Sequence, residues 1–169
     1  MRSIEIVSFS RALDRSAFSC GKPDLDGWLK TQAGQQERSD NTRTFVAVDG
    51  ELGVIGYYAT TTYRLDLDDA AAMHGVAKRV YPVPAVLLAR LAVDVRCQDE
   101  GVGRQLLVHA LEGIAQASEH VGFEVVVVHA IDADAVTFYA RYGFMRFASR
   151  QLHLFMTTKA LRASFGETT

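Results

Sequence analysis

The chain has 169 residues, of which 49% are hydrophobic and 22% charged, and its formal net charge is −2. That length and balance suit one folded domain with a substantial core and exclude a disordered chain. A net charge of −2 weighs against DNA binding as the main role, since a nucleic-acid binder is usually basic overall and such a role here would need a local patch.

Ile4 to Val7 is short and apolar enough for an edge strand. Lys22-Pro23-Asp24 breaks the chain, and Asp24 is placed to cap a helix through Leu25, Trp28, Leu29 and Ala33, whose spacing makes one apolar stripe. Ser39-Asp40-Asn41 ends that helix. Thr44 to Val48 reads as a strand, Asp49-Gly50 as a hairpin, and Val54 to Thr62 as the returning strand. Asp66 to Pro84 reads as a loop with a short helix. From Val86, VLLARLAVDV has the near-continuous apolar character of a buried strand. A tight loop, Cys97 to Gly103, leads to a helix with Leu106, Leu107, Ala110, Leu111, Ile114 and Ala117 on one face. Val125 to Val128 is a second buried strand. Asp132 or Asp134 caps a helix through Val136, Phe138 and Tyr139, Gly143 stops it, and Phe144 to Phe155 supplies one or two last strands. The order predicts an α/β fold: a single domain over residues 1–169, with a mixed central β-sheet flanked by helices on both faces.

Cys20 and Cys97 share no metal-type spacing and form no disulfide framework, as expected of reduced thiols. No apolar run approaches the ~20 residues that span a bilayer, and the first residues lack a signal-peptide pattern. A soluble, cytoplasmic protein with no membrane partner is expected. His74, His109, His120, His129 and His153 pair at no metal spacing and read as solvated or core histidines.

The chemistry starts at Gln98. A buried strand, a glycine-containing loop and then a helix aim free backbone N–H groups at an anion, and the helix dipole favours negative charge there. Gly101 and Gly103 lack a Cβ, so a diphosphate can approach the backbone closely. A P-loop would require Gly-Lys-Ser/Thr, and Gly103 is followed by Arg104-Gln105. A dinucleotide fingerprint would require a third glycine at 106, where leucine stands. Taken alone, the two glycines equally suit a sharp strand-to-helix turn.

Gln98-x-x-Gly101-x-Gly103 after Leu91-Ala92-Val93-Asp94 resembles the acyl-CoA signature of the GNAT superfamily of N-acetyltransferases. Asp132-Ala133-Asp134-Ala135-Val136-Thr137-Phe138-Tyr139 and Arg141-Tyr142-Gly143-Phe144 resemble its closing helix and strand. Further segments resemble one branch of that superfamily, the acetyltransferase toxins of bacterial type II toxin–antitoxin pairs. They are Phe18-x-Cys20-Gly21 with Leu25-Asp26-x-Trp28-Leu29, then Arg43-Thr44-Phe45-Val46, Gly56-Tyr57-Tyr58, and Pro84 to Asp94. The similarity runs from about Phe18 to Phe155.

The resemblance implies acetyl-CoA as cosubstrate and no metal. Its binding residues would be Leu91, Ala92 and Val93, the loop Gln98, Asp99, Glu100, Gly101, Val102, Gly103 and Arg104, and Asp132. The acceptor in that branch is the α-amino group of an aminoacyl-tRNA, whose acetylation stops translation. The branch also implies a homodimer and a ribbon-helix-helix antitoxin partner. Asp99 and Glu100 depart from its pattern, in which glycine or a neutral or basic residue is commoner. Two carboxylates beside a diphosphate are unfavourable unless they turn to solvent.

Acetyl transfer to an amine needs a neutral amine, stabilisation of the developing oxyanion and a proton for the leaving thiolate. A free α-amino group titrates near ~8, so much of it is neutral without a strong enzymatic base. By analogy with the superfamily, Tyr139 would be the general acid and the Val93 N–H the oxyanion donor; adjacent aromatics such as Phe138 and Tyr139 also suit plain core packing. Cys97 abuts the loop, but the superfamily transfers acetyl directly, without an acyl-enzyme. A tRNA acceptor would draw on Lys30, Arg38, Arg43, Lys78, Arg79 and Arg90, with Arg64 and Arg96 as further cations. Two other readings share parts of this pattern: an acetyltransferase for a small amine or protein N-terminus, and a non-enzymatic acyl-CoA-binding module.

Overall fold

The structure, a computed structural model, describes residues 2–71, 73, 81–148, 150 and 152–166. The strands are β1 (Glu5–Ser8), β2 (Arg43–Asp49), β3 (Gly53–Leu65), β4 (Val83–Val93), β5 (Val125–His129), β6 (Met145–Arg146) and β7 (His153–Thr157). The helices are α1 (Pro23–Thr31), α2 (Ala33–Arg38), α3 (Leu67–Ala71), α4 (Val102–Ala117), α5 (Ala133–Arg141) and α6 (Thr158–Ser164). The strands join in the order β1-β2-β3-β4-β5-β7-β6, so β1 is an edge strand as expected. β4 and β5 pair in parallel register, from Ala85↔Val125 to Leu88↔Val128; the β1–β2, β2–β3, β5–β7 and β6–β7 pairs are antiparallel. The sheet is mixed. The chain forms two compact units, Met1–Thr61 with Ala89–Leu111 and Thr62–Leu88 with Glu112–Thr169.

In the first unit, consecutive tyrosines on β3 serve opposite faces, because side chains alternate along a strand. Tyr57 is fully buried, stacked on Trp28 of α1 at 5.8 Å and set edge-on to Phe18, and its hydroxyl donates to Leu25 O at 2.7 Å. Tyr58 turns the other way, stacks on Phe45 and meets His109 Nδ1 of α4 at 2.7 Å. Beside them Gly56 is required by close approach: an added Cβ would lie 2.8 Å from Leu106 Cδ1 of α4 and 3.1 Å from Ala92 O. Helices therefore cover both faces of this part of the sheet.

In the second unit, four successive valines, Val125 to Val128, are buried. That is the mark of a strand covered on both sides. Val125 and Val127 pack with Phe147, Phe155, Leu65 and Ala85. Arg162 of α6 donates to Ser118 Oγ and O at 3.0 Å, at the end of α4.

Several predicted boundaries move. Asp24 does not cap α1; Pro23 opens it, Lys22 precedes it without a side-chain cap, and Asp24 lies in the first turn. The single helix expected there is two, because Gln32, with φ −117°, leaves helical geometry between Thr31 and Ala33. Ala33 remains buried, as the stripe required. In the β2–β3 hairpin the left-handed glycine is Gly53, at φ +77°, rather than Gly50, and the Asp49 carboxylate accepts from Glu51 N and Leu52 N. β4 begins earlier than expected and includes Pro84, whose carbonyl accepts from Glu124 N at 2.9 Å. Of the apolar stripe on α4, Ala117 is exposed and Ser118 is buried instead. Asp132, not Asp134, caps α5 by accepting from Ala135 N at 2.9 Å. No sequence pattern announced α6, which Thr157 caps by accepting from Ala160 N.

Candidate functional site

The first unit holds the end of β4 and the glycine loop. The β4–β5 ladder stops at Leu88, and β4 continues to Val93 with Leu91 and Val93 half-buried and Ala92 buried. The turn that follows is fixed by Asp94, which is fully buried. Its carboxylate pairs with the Arg96 guanidinium through Nε and Nη2, both at 2.9 Å, and accepts from Arg96 N at 2.9 Å and Ser19 N at 3.1 Å. Burial alone would push this carboxyl up; the Arg96 and Ser19 bonds outweigh it and hold it below the usual range. Two backbone bonds complete the anchorage, Asp94 N to Ile55 O and Val95 N to Ser19 O, both 2.8 Å. Gln98 then ties the loop back, its amide donating to Val93 O at 3.1 Å and Cys20 O at 3.3 Å.

Two loop residues take left-handed conformations, Asp99 at φ 63° and Gly101 at φ 82°. Glycine meets that demand at no steric cost, and aspartate is among the few other residues that visit it. Position 99 is thus a glycine-like position filled by aspartate, with its side chain exposed. Glu100 is held by Arg2, whose Nε bonds Glu100 Oε2 while its Nη1 reaches Asp49 Oδ2 at 2.7 Å. Arg2 holds the Glu100 carboxyl below its ordinary range. One carboxylate is therefore paired within the protein and the side chain of the other is exposed.

α4 starts at Val102, so Val102, Gly103 and Arg104 form its first turn instead of belonging to the loop. The Val102 side chain is buried near Gly56, whereas Arg104 is exposed. Gln105 N makes the first turn's bond to Gly101 O at 3.1 Å, leaving the preceding N–H groups without an intrahelical acceptor. Free N–H groups at a helix start suit an anion. Cys97 is fully buried and its thiol is pushed up by burial, the opposite of an activated nucleophile.

The expected basic residues do not form one patch. Lys30 and Arg38 are exposed near the ends of α1 and α2. Arg43 is committed to Asp40 at 2.6 Å and Glu37 at 3.1 Å, and Arg96 to Asp94. Arg90 lies 4.4 Å over the Trp28 ring, partly buried, and burial lowers its pKa. Arg64 is exposed, and Lys78 and Arg79 lie outside the described residues.

The second unit holds Asp132 and Tyr139. The Asp132 side chain is half-buried and fixes the start of α5 through its cap. Tyr139, about two turns further on, is only 6% exposed, with its ring edge-on to Phe138 at 5.3 Å and Phe144 at 5.6 Å. Burial pushes the phenol well above its ordinary value, so it stays protonated. Its packing residues are apolar rings. Nearby in the same unit, His129 and His153 stack at 3.9 Å, with Tyr63 edge-on to His129 at 5.6 Å. His129 Nε2 is buried with no hydrogen-bond partner, and burial, then His153 and Arg150, lower its pKa to about 4. Among the described residues, no three His, Cys, Asp or Glu side chains converge on a metal position.

Sequence reasoning missed Arg2 and the structural office of Asp94. Asp94 was visible only as part of a motif, and Arg2 carries no local signal, because its partners are Asp49 and Glu100. No helix among the described residues is long and apolar enough to cross a membrane.

A family model described as an acetyltransferase (GNAT) domain matches residues 28–153. A tRNA-acetylating toxin of Mycobacterium tuberculosis is 35% identical over 161 residues, 94% of each chain. The solved structure of AtaT complexed with acetyl-methionyl-tRNAfMet is 28% identical, with TM-score 0.86 over 96% of this chain and 99% of that one. A variant AtaT toxin, with phenylalanine in place of one tyrosine, was solved bound to the C-terminus of the antitoxin AtaR and acetyl-CoA. It is 26% identical, with TM-score 0.80 over 97% of this chain and 99% of that one.

Proposed function

The chain belongs to the GNAT acetyltransferases, and we propose that it moves acetyl from acetyl-CoA to the α-amino group of an aminoacyl-tRNA, as the translation-blocking toxin of a type II toxin–antitoxin pair. The observation that carries this is the end-to-end likeness to a tRNA-acetylating toxin, 35% identity across 94% of both chains. AtaT, seen with acetyl-methionyl-tRNAfMet, supports the same acceptor class.

The residues divide the work. The N–H groups at the start of α4 bind the diphosphate of acetyl-CoA, and Gly101 and Gly103 let it approach the backbone. Arg2 keeps Glu100 from repelling it. The N–H of Val93, on the part of β4 beyond its ladder with β5, meets the thioester carbonyl as charge grows on that oxygen. The acceptor amine needs no strong base, because esterification of the neighbouring carboxyl lowers an already modest pKa. Tyr139 gives its proton to the leaving thiolate. A phenol held protonated by burial is always loaded for that step, although a raised pKa makes it a weaker acid until the thiolate accepts its hydrogen bond.

The further parts of the reading are a homodimer, a ribbon-helix-helix antitoxin and action in the cytoplasm, where charged tRNA is found. The solved AtaT–AtaR complex supports an antitoxin of some kind. The test is expression without an antitoxin followed by mass spectrometry of tRNA-linked amino acids. Growth should stop and N-acetylated aminoacyl-tRNA should accumulate; arrest without that product would overturn the acceptor.

A further inference from the structure

The segment before α1 does two jobs. At Ser19 and Cys20 it is bonded to Asp94, Val95 and Gln98, so it is fastened to the turn that opens the glycine loop. A few residues earlier it carries two arginines that the sequence did not single out. Arg15 lies 4.9 Å over the Phe9 ring and its Nη1 donates to Leu29 O, near the C-terminus of α1, at 3.4 Å. Arg11 crosses α2 at Gly34, where an added Cβ would stand 2.9 Å from Arg11 Nε.

Arg15 and Lys30 line an open cavity of about 330 Å³ with Leu13, Asp14 and Ser16. Among the described residues, Arg11, Arg15 and Lys30 form no ion pair. Asp14 is the one carboxylate in the lining, and Ser16 N and Oγ hold it at 3.0 and 2.6 Å. The lining holds two cations against one acid, with Arg11 a further cation on the same segment as Arg15, on a chain whose net charge is −2. Of the other cations in this unit, Arg2, Arg43 and Arg96 are paired with carboxylates, Arg90 sits on the Trp28 ring, and Arg38 and Arg104 are exposed.

We propose that Arg11 and Arg15, on the segment that braces the glycine loop, and Lys30, on α1 beside it, form an anchor for backbone phosphates of the RNA acceptor. The proposal rests on the tRNA reading above and adds to it the residues that grip the acceptor. A guanidinium fixed by a ring and a carbonyl loses little freedom on meeting a phosphate, and two arginines beside one lysine suit adjacent phosphates. Contacts of this kind position the substrate without reading its bases.

The test uses the whole chain with labelled tRNA as probe and charged tRNA as substrate. Arg11→Gln and Arg15→Gln should each weaken tRNA binding several-fold, uniformly across tRNAs, and reduce the log–log salt slope by about 1. The KM for charged tRNA should rise with kcat unchanged, and the melting shift induced by acetyl-CoA should persist, which shows that the variants fold. Gly34→Ala, which displaces Arg11 without removing it, should weaken binding less than Arg11→Gln. Lys159→Gln, an exposed lysine on α6 in the other unit, is the control and should change nothing. If the parent chain acetylates charged tRNA and the two arginine variants match it in affinity and slope, the anchor is overturned and the tRNA reading stands. If the parent chain neither binds nor acetylates tRNA, both fall.

Discussion

The glycine loop and the α5 aromatic cluster reach order by opposite means. The loop is held by polar bonds: a buried Asp94–Arg96 pair, a Gln98 amide on two carbonyls, and Arg2 bridging Glu100 and Asp49. In the proposed function its working groups are backbone N–H. Tyr139 is held by ring contacts with Phe138 and Phe144, and in the proposed function its working group is the side chain itself. A loop built of backbone donors tolerates side-chain exchange but not the wrong φ. A phenol seated among rings tolerates loss of its hydroxyl structurally but not chemically.

The contrast is broken or sharpened first at Tyr139. Tyr139→Phe keeps the ring contacts, so turnover should fall by ~10²–10⁴ while stability and the acetyl-CoA melting shift barely change. Tyr139→Ala should instead destabilise by about 3–5 kcal/mol through a cavity. Near-normal turnover in the Phe variant would reduce Tyr139 to packing and leave catalysis to positioning and the Val93 N–H.

At the loop the expectation is reversed, with binding lost and the fold kept. Acetyl-CoA at a hundredfold excess over its dissociation constant should stabilise the chain by about 2.7 kcal/mol. Gly103→Glu places a side-chain carboxylate in the first turn of α4 and should abolish that shift, as thermal melting would show. An unaltered shift would remove the diphosphate from this helix terminus.

How far the sequence disclosed these two regions follows from the same contrast. Left-handed backbone leaves a mark in composition, so Gly101 was visible, and so was the oddity of Asp99, which the φ of 63° explains. A phenol among rings leaves none: Phe138-Tyr139 looks like core, and only the family resemblance picked out its hydroxyl. The strands and α4 were legible from periodicity. The break at Gln32 and the whole of α6 were not, because short helices depend on tertiary packing more than on pattern. Arg2, Arg11 and Arg15 were invisible for another reason, since the meaning of a lone cation lies in partners distant along the chain.

A third measurement probes the second unit by pH. His129 is lowered to about 4 in the fold, against 6.5 in the unfolded chain, so the unfolded state binds more protons between those values. Stability from this group is complete above about 6.5 and is lost as the pH falls towards 4. With the ring only half-buried, the loss should be about 2 kcal/mol. Urea melts at pH 7 and pH 4.5 should show it, and His129→Phe should flatten that part of the profile. An equal slope in the variant would assign the acid sensitivity to other groups.

The smallest effect is expected at Arg2. Arg2→Gln releases the Glu100 carboxylate beside the diphosphate site, and acetyl-CoA should bind several-fold more weakly, most visibly at low salt. Calorimetric titration at two ionic strengths checks this. Tighter binding in the variant would show that Glu100 faces away from the coenzyme regardless of Arg2.

The central claim is that the acetyl group ends on the α-nitrogen of an amino acid esterified to tRNA. Purified chain, acetyl-CoA with a labelled acetyl group, and equal amounts of charged and uncharged tRNA test it directly. The account predicts label on the aminoacyl nitrogen of the charged tRNA, none on uncharged tRNA, and strong attenuation with Tyr139→Phe. Label that passes to small amines or protein N-termini while charged tRNA stays unmodified would contradict it.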